Sequence, residues 1–282
     1  MKNFRNVISS FSARPVTEGA GVNLLRVFGN TEKNVTDPFL LLDNFGSRNP
    51  DDYLAGFPWH PHRGIETVTY MIEGEVEHED SLGNKGTIHS GDVQWMTAGS
   101  GIIHQEMPKN TGKAMQGFQL WVNLPAKSKM MHPRYRDINS KDIPVYENKE
   151  VKVKTICGSY ENHTGPVKDL EVDVRYMDFE IGKNISVIIE TIPNHNVMFY
   201  IFEGFAEFDG TGITVYEKGQ LLIFDEGKSI RVKTKNSNVR FLYIAGKPLK
   251  EPIAWYGPIV MNTREELETA FREYSNGTFL KT

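Results

Sequence analysis

Two stretches of this chain read alike at an offset of 130 residues. TYMIEGEVEHED begins at Thr69 and FYIFEGFAEFDG at Phe199, so Tyr70 matches Tyr200 and Glu73-Gly74 matches Glu203-Gly204. Further on, GDVQWM at Gly91 resembles GQLLIF at Gly219, an offset of 128. A strand–turn–strand unit that returns at nearly one interval marks a duplicated domain, and it limits the chain to folds that can be built twice.

The unit being repeated is made of strands. Residues 67–72 and 75–79 are rich in Val, Ile, Tyr and Glu and are separated at Glu73-Gly74; residues 80–86 hold the hairpin signal Gly83-Asn84; residues 91–96 and 117–124 continue the pattern. Such close turn spacing favours an all-β sandwich or barrel, and two copies of one barrel in tandem would explain the repeat. At 282 residues, with 39% hydrophobic and 11% aromatic side chains, the chain can fill two cores. The expected boundaries are 1–130 and 131–282. Residues 125–144, with Lys127, Lys129, Arg134, Arg136 and Lys141, read as an ordered linker with a solvated charged face. One helix is expected near the end: Thr263 and Glu266 form a capping box, Leu267, Ala270, Phe271 and Tyr274 follow helical spacing, and Asn276-Gly277 stops it.

Charge argues against one class of partner. With 32 basic and 36 acidic residues the net charge is −4, whereas nucleic-acid binding needs concentrated positive surface. The single cysteine, Cys157, allows no intramolecular disulfide and reads as a buried small side chain. The amino terminus lacks the apolar core of a signal peptide, and no stretch approaches the ~20 apolar residues of a membrane span. A cytoplasmic location is expected.

Histidine spacing carries the chemistry. His60 and His62 are the one i, i+2 pair among eight histidines. Residues two apart on a strand face one side at ~6.6 Å separation, and imidazoles can converge on one ion with bonds of ~2.0–2.1 Å. His104 and Glu106 repeat the spacing in GSGIIHQEMP. Two adjacent strands, each offering such a pair, would bring four ligands to one point. The second copy is an internal control: the repeat offset puts Glu190 and Ile192 where His60 and His62 stand, and no histidine follows His195. One working site and one retired site are expected. His78, His89, His132, His163 and His195 lack partners at metal spacing and read as surface or locally hydrogen-bonded side chains.

These motifs resemble a known family. His60-x-His62-x3-Glu66, Gly74, Gly91 and His104 resemble the metal motifs of the cupin superfamily, and HPHRG-x-ET with QWMTAG-x-GI-x-H-x-E-MP is similar to the pirins, which are two-barrel cupins. The likeness returns in IAGKPLKEPIAWYGPIVMNTREEL and is weakest between residues 147 and 191. It implies two tandem cupin-type barrels with a short carboxyl-terminal helix, the first barrel holding the metal. General cupin usage nominates Glu66 as the carboxylate ligand, whereas pirins use the position of Glu106. On a straight strand Glu66 lies ~13 Å beyond His62, so Glu106 is the expected ligand and Glu66 a group that orients an imidazole from behind or an alternative ligand.

The resemblance implies Fe(II); Mn, Co, Ni, Cu and Zn accept similar ligands. It also implies a dioxygenase acting on flavonols such as quercetin with O₂, with Glu106 as general base, and Phe57 and Trp59 are candidates to wall an aromatic slot. The alternative it implies is a metal- and redox-dependent regulator that binds a transcription-factor complex or a metabolic enzyme. A zinc cupin resembling sugar isomerases is a third option, for which no anion-binding cluster is evident.

Overall fold

The computed structural model describes residues 4–208 and 214–281; Asp209-Gly210, the end of the second repeat copy, lie outside them. Each repeat copy builds an antiparallel cupin barrel. In the first unit a seven-stranded sheet runs in the order Arg134–Ile138, Val93–Thr97, Ile65–Glu73, Met115–Asn123, Phe39–Ser47, Val22–Phe28, Arg14–Glu18. A four-stranded sheet, Phe57–His62, Ile102–Pro108, Val76–Asp80, Lys85–Ile88, completes it. The two sheets differ in how their strands are buried. Every residue of Val93–Thr97 is buried, which explains its unbroken VQWMT text. Ile102–Pro108 and Val76–Asp80 alternate instead, so Ile102, His104 and Glu106 are buried on one side with Val76, His78 and Asp80. That alternation aims a histidine and a carboxylate at the same interior.

The second unit repeats the design. Its main sheet passes through Val7–Ser12, Gln220–Phe224, Asn196–Glu207, Val239–Gly246, Val174–Ile181, Val151–Cys157 and Val145–Glu147. The duplication holds at single-residue register: Thr69 pairs with Gln94, and their repeat equivalents Phe199 and Leu222 pair in turn. Its interior is closed by aromatic rings, with Phe199 stacked on Phe241 at 4.6 Å and Phe241 on Phe179 at 5.3 Å. Cys157 is buried, as expected, with its Sγ 3.4 Å from the Val174 carbonyl.

A single cut after residue 130 does not describe how the chain divides. The residues up to Ala13, Val35–Asp37 and Lys141–Pro248 form one unit; Arg14–Asn34, Pro38–Ser140 and the chain from Leu249 onward form the other. The reason is edge satisfaction. Val7–Ser12 hydrogen-bonds along Gln220–Phe224 and covers backbone groups that would otherwise be bare. At the other end, helix Arg264–Ser275 carries the expected capping box, and its Ala270, Leu267 and Phe271 pack with Ile259, Met261, Phe279 and Ile103. The linker is indeed ordered, with Arg134–Ile138 paired to Val93–Thr97, but its charge is not all solvated. Lys129 is buried, and its ammonium donates to Gly64 O (2.9 Å), Asn123 Oδ1 (2.7 Å) and Val260 O (3.1 Å). Among the described residues no helix is long and apolar enough to cross a membrane.

Candidate metal centre

Strand Phe57–His62 pairs antiparallel with Ile102–Pro108, placing His104 opposite His60 and Ile102 opposite His62. The chain turns at Gly64, whose φ of 78° and contact with the Val260 carbonyl leave no room for a side chain. Two backbone carbonyls set the tautomers. His60 Nδ1–H donates to Pro58 O at 2.8 Å and His62 Nδ1–H to Pro258 O at 3.1 Å, so each ring turns an Nε2 lone pair inward. Those two Nε2 atoms stand 3.2 Å apart. The His104 ring lies 4.3 Å from His60 and 5.0 Å from His62, centroid to centroid. His104 is fully buried, and neither of its nitrogens has a hydrogen-bond partner.

Leaving a buried polar atom unpaired costs about 1–3 kcal/mol. A cation resolves that cost here. One ligand nitrogen from each of His60, His62 and His104 lies within 4.8 Å of the others, and two nitrogens bonded at ~2.1 Å and a right angle sit ~3 Å apart. Burial, with the neighbouring imidazoles adding to it, holds His62 and His104 well below the usual histidine pKa, so both rings are neutral and ready to ligate. The residues fit a divalent transition metal.

Glu106 points to the same interior, two positions beyond His104. Its Oε1 accepts from Thr69 Oγ1 at 2.8 Å and its Oε2 from Gln119 Nε2 at 3.0 Å. It is not part of the 4.8 Å histidine group. A cavity of about 670 Å³ opens from His60, His62 and Glu106 and is walled by Phe57, Leu24, Leu41, Phe45, Met115 and Trp121, a size suited to a small organic ligand.

Comparison with known proteins follows the same lines. Residues 21–122 match the family described as Pirin, and residues 176–280 match its "Pirin C-terminal cupin domain". A Pseudomonas aeruginosa protein, named a candidate quercetin 2,3-dioxygenase, is 44% identical over 98% of this chain and 99% of its own. The chain belongs to the pirin family. The crystal structure of quercetin 2,3-dioxygenase from Acinetobacter baumannii superposes with a TM-score of 0.91 at 32% identity, covering 98% of each chain. Bacterial pirin YhhW from Escherichia coli, solved in complex with nickel(II), shares the fold at a TM-score of 0.65 and 18% identity, over 85% of this chain and 99% of that one.

In this pirin the sequence-predicted residues are sorted by strand alternation. His60, His62, His104 and Glu106 all face the barrel interior. Glu66 does not join them. It stands three positions from Thr69 on one strand and so faces the opposite side of the sheet, where Thr97 Oγ1 (2.6 Å) and Trp95 Nε1 (3.1 Å) donate to its carboxylate. Burial raises its pKa, and its carboxylate is held by Thr97 and Trp95 outside the histidine group. Phe57 lines the cavity, but Trp59, between Pro58 and His60, is absent from its lining and is 48% exposed. His78 is not a surface residue: it is buried, its Nε2 is 3.3 Å from Asp80, and its ring lies 5.3 Å from His104. His195 is likewise buried against Asp173. Sequence reading missed Thr69, Gln119 and Trp121, whose even spacing on interior faces was the available signal. Pro258 left none, because it acts through a backbone carbonyl brought from the far end of the chain.

Proposed function

We propose that this pirin is a metal-dependent flavonol dioxygenase of the quercetin 2,3-dioxygenase type, holding Fe(II) with His60, His62, His104 and Glu106. The observation that carries it is the convergence of three imidazoles, one with both nitrogens unpartnered, at the end of an apolar cavity. The names of the Pseudomonas and Acinetobacter relatives support the substrate class, and the nickel complex of the Escherichia coli pirin supports metal binding by this fold.

A bound divalent ion supplies Lewis acidity toward the flavonol 3-hydroxyl and an electronic path to O₂. The chain's own residues do the rest. Phe57 and Trp121 offer faces for a flat ring system, and the apolar wall keeps water from the reacting carbon atoms. Glu106 accepts the 3-hydroxyl proton, and Thr69 and Gln119 hold its carboxylate at the height needed for that transfer. The net reaction takes up one O₂ and returns a ring-opened ester and CO, so it requires no external reductant.

The test is direct. Quercetin mixed without air with the Fe(II)-loaded protein shifts its visible absorption, then bleaches and releases CO when air enters. Absence of bleaching with Fe, Mn, Co and Ni alike defeats the reading.

A further inference from the structure

Glu106's two partners belong to a row that continues past them. Thr69 stands opposite Gln119, Gln119 opposite Asp43, and Asp43 opposite Arg26, one residue from each of four neighbouring strands. Directly opposed residues project to one face, and all four line the cavity that contains His60, His62 and Glu106. Strands are ~4.8 Å apart, so Asp43 lies about 10 Å from Thr69 along the sheet. At that far end Arg26 grips Asp43 through Nε at 2.9 Å and Nη2 at 2.8 Å, and its Nη1 reaches Glu18 at 2.8 Å.

The second unit shows what this row does when there is no cavity to serve. Its equivalents, strand for strand, are Thr155, Met177, Tyr243 and Phe199. Those side chains are buried in a closed aromatic core. The barrel therefore forms without a charged side chain at these positions. Taking an ion pair out of water costs free energy that packed apolar side chains do not. Arg240 makes a similar set of bonds to Asp178 and Glu203 without lining the cavity, so the bonding pattern alone marks no site. Position does.

The chemistry of the trio narrows what it can read. Arg26 uses three of its five N–H donors on Asp43 and Glu18, and the Asp43 carboxylate keeps lone pairs beyond the two that Arg26 engages. The pair can thus donate and accept at once, as a hydroxyl requires. One cation against two carboxylates leaves a net negative charge, which repels an anionic group.

We infer that the Arg26–Asp43 pair is a specificity element that reads a neutral phenolic hydroxyl on the substrate ring remote from the histidine cluster. This rests on the flavonol reading of the same site: with the 3-hydroxyl at Glu106, an outer ring extends along the row toward Asp43.

Binding of a ligand series to Zn(II)-loaded protein, without turnover, tests it. The series is 3-hydroxyflavone, quercetin with its hydroxylated outer rings, and a flavonol carrying an outer-ring carboxylate. Wild type should bind quercetin about ten-fold tighter than 3-hydroxyflavone, the effect of one hydrogen bond to a charged pair, and should bind the carboxylate weakest. Asp43→Asn should shrink the quercetin preference toward unity. Equal affinities, tightest binding of the carboxylate, or a preference retained in a folded D43N protein overturns this inference and leaves the dioxygenase reading standing. If no flavonol in the series binds, both fall. Should D43N fail to fold, the wild-type series alone decides.

Discussion

Replacing Gln119 with Leu probes the proposed carboxylate ligand, Glu106, without touching a histidine. Gln119 Nε2 gives one of the two hydrogen bonds on Glu106, and Thr69 Oγ1 gives the other. The Thr69 hydroxyl is also 2.8 Å from Gln119 Oε1 and has a single proton to divide between them. Loss of a bond to a charged group is worth about 1.5–3 kcal/mol. In Gln119→Leu that loss is partly offset, because Thr69 can then serve Glu106 alone. Loss of a group that orients a ligand lowers metal affinity about 10–100-fold; Gln119→Leu should fall near the lower figure, and Gln119→Leu with Thr69→Val near the upper. Competition between the protein and a chelator for Ni(II) or Zn(II) at pH 7.5 measures this, with thermal unfolding of the metal-free proteins as a control for folding. A double variant whose metal affinity stays within about two-fold of wild type would refute the assignment, since each ten-fold is about 1.4 kcal/mol.

The remaining expectations concern the cluster and its supports. His62→Ala or His104→Ala should abolish stoichiometric metal binding, measured by metal analysis after dialysis; full occupancy in either removes the site. Stability should fall as pH drops below about 6.5: the unfolded chain takes up protons there, while burial keeps His62, His104 and His195 from doing so in the folded state. Melting temperatures that do not decline from pH 7 to 5.5 would contradict this. Arg63→Met should cost about 3 kcal/mol or more, because it strips donors from Ser100 O, Phe279 O and the Glu273 carboxylate, and denaturant unfolding reads it out. Trp59→Ala should change stability and flavonol binding little, within about 0.5 kcal/mol, whereas Phe57→Ala should weaken flavonol binding.

Much of this was legible because strand alternation and duplication leave direct marks in sequence. His60, His62, His104 and Glu106 sit at i, i+2 on strands with one buried face, so spacing alone brought them together. Glu66 misled because its motif position says nothing about side: it stands an odd number of positions, three, from Thr69, and that parity sends it to the other face. Lys129 sat in a run of basic residues whose average is solvated, and nothing local announces three backbone and amide acceptors drawn from distant segments. His78 has a local partner in Asp80 two residues on, but its approach to the site comes through cross-strand register with Glu106, which sequence spacing does not show. The chain division was hidden for a similar reason, since both ends pair with segments more than a hundred residues away.

The course of the chain ends also bears on how the protein is born. His62 Nδ1–H donates a hydrogen bond to the Pro258 carbonyl, and Arg63 is fastened by Glu273 and Phe279. A ribosome that has just finished the first repeat has released all three histidines but none of those fasteners. The His62 imidazole is then free to choose the other tautomer, whereas His60 already has Pro58 O. Only when residues 254–279 emerge does the first barrel acquire the strands Ala254–Tyr256 and Ile259–Met261 and the helix Arg264–Ser275. A chain stopped before residue 254 should therefore hold a metal less well than one that includes them.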